Sequence, residues 1–158
     1  AIEGMATLNR ASGEVLAQHV RSVHACTDVT GYGFLGHLRE MLVGPIGARI
    51  DATAIPILPA ARRLVAEGVA PGGTRANLDA AAKDVRWTKA LREEEHTQLL
   101  LADAQTSGGL LAAVGARACP RVLDALRAVA PAEDWVCVVG EIVDRPGRRS
   151  KRIEFVAS

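Results

Sequence analysis

The densest run of residue types suited to phosphate chemistry is Cys26-Thr27-Asp28-Val29-Thr30-Gly31-Tyr32-Gly33-Phe34-Leu35-Gly36. A carboxylate closes a candidate strand, and hydroxyls and glycines lead from it into a candidate helix. A hard oxygen donor such as Asp28 beside exposed helix-start amides suits Mg²⁺ bridged to phosphate, the metal on the carboxylate and the phosphate oxygens on the amides. A plainer reading makes Asp28 and Thr30 caps of the following helix, since Asp and Thr are preferred there. A third takes Gly31, Gly33 and Gly36 as GxGxxG, with Asp51 about twenty residues on as the ribose acid of a dinucleotide site. Against that third reading, a Rossmann first strand is almost continuously apolar. His24-Ala25-Cys26-Thr27-Asp28-Val29 instead carries a carboxylate that needs a cation or backbone donors.

A second cluster, Asp103-Ala104-Gln105-Thr106-Ser107-Gly108-Gly109, runs into the apolar stretch Leu110–Val114. Glycines at the start of a buried strand signal close backbone approach or a bulge. The same residues also make an ordinary helix-to-strand turn whose Asp, Thr and Ser satisfy local amides. The other chemistry-bearing residues are more isolated. His24 and His37 have no nucleophile or carboxylate placed beside them by spacing, which favours a packed or surface role. Glu93-Glu94-Glu95-His96 reads as a solvated helix start. Arg145 to Arg152 reads as a solvated basic turn that protects a sheet edge. Cys26, Cys119 and Cys137 are odd in number and lack CxxC spacing, which points to small buried hydrophobes in a reducing compartment rather than a disulfide frame or zinc site.

The elements that must position these groups alternate along the chain. Val15, Leu16, His19, Val20 and Val23 recur at helical spacing, with Ser12 as a candidate cap. A strand over Val23–Val29 is broken by Thr30-Gly31, and Phe34, Leu35, Leu38, Met41 and Leu42 give a helical face that Gly44-Pro45 ends. Ala48–Asp51 alternates as a strand. Leu58–Val69 forms a helix, Pro71-Gly72-Gly73-Thr74 a turn-rich loop, and Leu78–Lys83 a short helix. Then follow a strand at Val85-Arg86-Trp87, a helix over Glu93–Leu101, a buried strand over Gly109–Val114, and a helix over Arg121–Val129 with Pro120 in its first turn. Trp135–Val143 and Arg152–Val156 read as the last strands, joined by a turn at Arg145-Pro146-Gly147. Helices interleaved with five or six short strands make a layered α/β or α+β domain.

The 158 residues suit one domain, 1–158, with room for a full core. Hydrophobic residues at 49% and charged ones at 23% match a folded globular chain rather than a disordered one. A formal charge of +1 offers no basic surplus for nucleic acid or an anionic membrane, and 3% aromatics are too few for base stacking. There is no run of about 18 apolar residues to span a membrane, and no basic-then-apolar signal segment opens the chain. The start, Ala1-Ile2-Glu3-Gly4-Met5, reads as a cut inside a longer protein. Composition thus implies a cytoplasmic domain and leaves its chemistry to the motifs.

The run Val23–Leu38 and the run Asp103–Leu111 both resemble signatures of selenophosphate synthetase (selenide, water dikinase). Thr7-Leu8-Asn9-Arg10 and Pro71-Gly72-Gly73-Thr74 with Asn77 resemble that family at matching places. Tyr32 and Phe34 stand where the family often has Phe and Leu. The wider superfamily includes aminoimidazole ribonucleotide synthetase, thiamine-monophosphate kinase and a hydrogenase maturation factor, whose text differs over Thr27–Leu38. The resemblance is to the C-terminal domain only and implies an α+β, three-layer α/β/α fold, partly ferredoxin-like. It implies an enzyme that turns selenide, ATP and water into selenophosphate, AMP and phosphate with Mg²⁺. The family's nucleophilic Cys or selenocysteine, catalytic Lys, most ATP contacts and the dimer interface belong to an N-terminal domain that this chain does not resemble, so no catalytic residue is expected here. The resemblance makes Asp28 a Mg²⁺ ligand and puts Thr27, Thr30, Gly31, Thr106, Ser107 and Gly108 near the phosphates. Cys26 lies outside the nucleophile's segment and reads as structural. A free-standing nucleotide-binding module using the glycine loop is the alternative.

Overall fold

A computed structural model describes residues 2–130, 135–145 and 151–156. The helices are α1 (Ile2–Ala6), α2 (Arg10–Gln18), α3 (Gly33–Met41), α4 (Pro59–Ala66), α5 (Gly72–Ala81), α6 (Lys89–Glu93), α7 (Glu95–Leu101) and α8 (Cys119–Arg127). The strands are β1 (Val23–Asp28), β2 (Ile46–Asp51), β3 (Val85–Arg86), β4 (Leu110–Val114), β5 (Gly140–Asp144) and β6 (Ile153–Val156). Among the described residues the strands form two sheets: an antiparallel pair β1-β4, and a four-stranded sheet in the order β3-β6-β2-β5. In the larger sheet β2 runs antiparallel to β5 and parallel to β6, and β6 runs parallel to β3. The class is α+β, as expected.

Apolar spacing explains the core. Phe34, Leu35 and Leu38 fall on one face of α3, with Leu42 just beyond it. They bury against Ala48 and Ile50 of β2, Ile153 and Phe155 of β6, Val85 of β3 and Ala81 of α5. Phe155 also stacks on Trp87, with ring centroids 4.6 Å apart. This cluster continues through Val29, Leu101 and Ala102. The ends of β1 and α7 are therefore anchored in the same core that carries α3.

Several expected elements take a different form. Ser12 lies inside α2; Asn9 stands at the cap position without a side-chain cap bond, and its Nδ2 instead donates to the Gly108 carbonyl. The loop expected at Pro71–Thr74 is the first turn of α5, where the Thr74 backbone N–H donates to the Pro71 carbonyl at 3.0 Å. Thr74 is wholly buried, and its tertiary bonds override the low helix propensity of the two glycines before it. The single helix expected over Glu93–Leu101 is two, broken at Glu94. There Gln98 Nε2 donates to the Leu91 carbonyl at 2.6 Å, which satisfies it as a cap would.

Leu110–Val114 is half-buried throughout rather than buried, since its sheet has only two strands. The last two strands are not neighbours: β2 lies between β5 and β6. Pro146 and Gly147 of the expected turn lie outside the described residues. Where it is described, the basic stretch is divided: Arg145 follows the edge strand β5, whereas Lys151, though exposed, and Arg152 lead into the interior strand β6. Lys151 Nζ donates to the carbonyls of Ala82 and Lys83 at 3.0 and 2.7 Å, at the C-terminal end of α5 where a cation is favourable. Arg152 donates to the Leu42 carbonyl behind α3. Among the described residues no helix is long and apolar enough to cross a membrane.

Candidate functional site

β1 alternates strictly, with Val23, Ala25 and Thr27 half-buried and His24, Cys26 and Asp28 exposed. Asp28 is thus the last residue of an exposed row, and among the described residues its carboxylate makes no hydrogen bond or ion pair. Thr27 sits on the opposite face, its hydroxyl donating to the Asp28 carbonyl at 3.1 Å. The chain then turns. The Thr30 carbonyl accepts from Gly33 N–H at 2.9 Å and from Gln105 N–H at 3.2 Å, so one oxygen joins the turn before α3 to the loop before β4. Val29 N–H donates to the Gly109 carbonyl at 2.9 Å from the same loop. Gly108 fits because it lacks a side chain; a Cβ there would collide with the Val29 carbonyl.

Capping is not what Asp28 and Thr30 do. The cap position of α3 is Tyr32, and no side chain caps that helix. The Thr30 hydroxyl instead shares a 3.1 Å hydrogen bond with Nε2 of His37, one of the few buried polar side chains. His37 Nδ1 lies 3.2 Å from a Glu40 carboxylate oxygen without hydrogen-bond alignment. Sequence spacing gives His37 a packed or surface role and does not reveal this bond, although the i,i+7 spacing from Thr30 is a signal for it.

Three side chains fasten the two loops from outside. Asn9 Nδ2 donates to the Gly108 carbonyl at 2.8 Å. Asn77 Nδ2 donates to the carbonyls of Gly31 and Ala102 at 2.9 and 3.1 Å. The Thr74 hydroxyl donates to Asp103 Oδ1 at 3.2 Å and accepts from Ala104 N–H at 3.3 Å. Asp28, Thr30, Gly31 and the loop 105–109 are therefore neighbours, with Thr106 exposed and Ser107 and Gly108 half-buried.

The dinucleotide reading fails on this geometry. β1 and β2 belong to different sheets, whereas the fingerprint needs them in one. Asp51 is occupied locally, accepting from Thr53 N–H and hydroxyl at 2.8 and 2.7 Å. The cysteines also differ from expectation. Cys26 is exposed and Cys119 and Cys137 are half-exposed, all as free thiols. The local burial of Cys26 and, secondarily, the Asp28 charge push its thiol up, which opposes a nucleophilic role. The Cys137 thiol is likewise raised by burial, and it donates to the Ala54 carbonyl.

All four stretches singled out by motif, around Asn9, Asp28–Gly33, Thr74–Asn77 and Asp103–Gly109, meet in this one knot. The family model for the AIR synthase related protein, C-terminal domain, matches residues 5–152. The chain belongs to that family. Selenide, water dikinase of Myxococcus xanthus is 46% identical over 145 residues, covering 90% of this chain and 40% of the relative. That of Pelobacter propionicus is 40% identical over 149 residues, covering 94% and 41%. That of Burkholderia orbicola is 42% identical over 142 residues, covering 89% and 38%. The chain thus spans about 40% of the length of these relatives.

Within this AIR synthase related C-terminal domain, the setting of Asp103 shifts its carboxyl. Burial, the larger influence, raises it above its ordinary value, while the Thr74 hydrogen bond pulls it down. A carboxyl raised on folding favours the native state while protonated. That advantage is complete below the ordinary carboxyl range and is lost as pH rises through the raised value. Asp103→Asn keeps an oxygen for Thr74 but cannot ionise. It should melt above the parent at pH 7, and the gap should close as the pH falls into the carboxyl range. Circular-dichroism melting at several pH values checks this; a gap that stays constant down to pH 3 would contradict it.

Proposed function

We propose that this chain is the C-terminal domain, one folding unit, of a selenide, water dikinase that makes selenophosphate, AMP and phosphate from selenide, ATP and water. In this reading Asp28 supplies one Mg²⁺ ligand, and the Thr30–Gly31 turn with the loop 105–108 forms one wall of a phosphate cleft. Thr27, on the other face of β1, supports the turn from behind. The carrying observation is the exposed Asp28 carboxylate at a strand end, without a bonded partner among the described residues and held beside two loops that are bonded to each other.

The donor chemistry fits the metal, because a carboxylate oxygen is the hard ligand that Mg²⁺ takes. No group of three or more His, Cys, Asp or Glu side chains capable of holding a metal occurs among the described residues. A single carboxylate fits an ion whose remaining ligands come from another domain, the substrate phosphates and water. The ion, when bound, would neutralise phosphate charge as it transfers. The protein's part here is to hold one oxygen and a set of backbone groups in fixed relation.

The reading extends to the family's other features: an N-terminal domain with the Cys or selenocysteine nucleophile and Lys, a homodimer built through that domain, and a cytoplasmic enzyme. It follows that the 158-residue chain alone should show no selenide-dependent conversion of ATP to AMP, since one ligand and half a cleft give almost no rate. The measurement is AMP release with and without selenide. Robust turnover by the chain alone would overturn the division of labour, and a reading frame upstream of Ala1 without a Cys or selenocysteine and a Lys would overturn the assignment.

A further inference from the structure

We infer that Asn77 is a positioning residue for the proposed metal and phosphate site, acting through the Gly31 carbonyl. This rests on the function proposed above. Asn77 and Thr74 lie one turn apart on α5, so both face the same side. Thr74 grips the 103–104 backbone and side chain, and Asn77 bridges the carbonyls of Gly31 and Ala102. One amide nitrogen thus spans the turn that follows Asp28 and the C-terminal end of α7. These partners are 46 and 25 residues away in sequence.

No backbone hydrogen bond links Gly31 to Ala102 among the described residues, so the Asn77 amide is the bridge between them. The neighbouring restraints act on either side of Gly31: Val29 N–H donates to the Gly109 carbonyl, the Thr30 carbonyl and hydroxyl are bonded, and Gly33 packs against the Ala102 backbone. Freed from Asn77, the Gly31 peptide can move between the anchors at Thr30 and Gly33 and change the direction of the chain between Asp28 and α3. Misplacement by about 1 Å in a preorganised site can cost a hundredfold in rate. Asn77 is half-buried and lies within a helix, where Ala is the better helix former, so the fold should tolerate its truncation.

The test has two arms. In this chain, Asn77→Ala should speed amide hydrogen exchange at Gly33 and Gln105, the two donors to Thr30, tenfold or more, while β2 and β6 amides stay unchanged. In the full-length enzyme, the same substitution should raise the Mg²⁺ concentration for half-maximal activity about tenfold. Added to Asp28→Ala it should cost nothing further, because both act on one site. Thr88→Ala is the structural control: it removes the cap of α6, an acceptor 3.2 Å from Leu91 N–H, and should leave the Mg²⁺ requirement unchanged. Unchanged exchange at Gly33 and Gln105 overturns the inference whatever the enzyme does. Faster exchange with an unaltered Mg²⁺ requirement overturns it where Asp28→Ala is inactive. A fully active Asp28→Ala enzyme overturns the functional reading instead.

Discussion

On the function proposed above, replacing Asp28 with Ala in the full-length enzyme should abolish selenide-dependent AMP formation while leaving folding intact. The expected loss is at least about 10²–10³-fold in kcat, the scale seen when one preorganised electrostatic group is removed from an active site. The folding side of the prediction follows from the local structure. Asp28 is exposed, it caps no helix, and its carboxylate has no bonded partner among the described residues. Surface changes of that kind stay within about 0.5 kcal/mol, which is a melting shift of about 2 °C or less at this chain length. A side chain kept for folding alone would show the reverse pattern, with melting lowered and activity retained.

Asp28→Asn separates charge from shape, since it keeps an oxygen but weakens a Mg²⁺ ligand. It should recover part of the activity at high Mg²⁺. Cys26 supplies an independent reporter that the geometry is right. The Asp28 charge is one of the two influences raising its thiol, so Asp28→Ala should speed Cys26 alkylation at pH 8. Equal alkylation rates would mean that the two side chains do not share the exposed face of β1.

What the sequence revealed and what it concealed divide along range of interaction. The α3 face of Phe34, Leu35 and Leu38 is local periodicity, and it buries as its spacing requires. Pro120 lies in the first turn of α8 as a missing N–H predicts. Asp28 and the loop 105–109 were legible because carboxylates, hydroxyls and glycines cluster within a few residues. By contrast, the start of α5 was concealed because two glycines look like a turn until Thr74 finds Asp103, 29 residues away. The bond from Asn9 to the Gly108 carbonyl joins residues 99 positions apart and leaves no trace in composition or period. Cys26 was expected inside, yet strand alternation puts it on the Asp28 face, and only the existence of a two-stranded sheet decides that this face is open.

Gly33 is the position where backbone demand and site geometry coincide, and Gly33→Ala should be the more damaging of two simple glycine changes. Its φ of +66° lies in the left-handed region, which costs an L-residue about 1–2 kcal/mol. A Cβ there would sit 2.6 Å from the carbonyl carbon of Ala102 and 2.9 Å from the carbonyl oxygen of Asp103, both backbone atoms that cannot rotate away. Such overpacking adds about 1–3 kcal/mol. The loss of unfolded-state freedom returns about 0.4–1 kcal/mol. The net expectation is a loss of about 1–5 kcal/mol, or about 2–20 °C in Tm. Gly13, inside α2 with nothing within 4 Å of its Cβ position, is the matched contrast. Gly13→Ala should gain about 0.5–1 kcal/mol from helix propensity alone. The Ala102 carbonyl that Gly33→Ala displaces is also an acceptor of Asn77, so the damage should reach the site before the core. Hydrogen exchange at Gln105 should therefore accelerate in Gly33→Ala more than at the buried strand β6. If both variants melt alike, the close approach of α3 to the end of α7 is not what requires glycine at position 33.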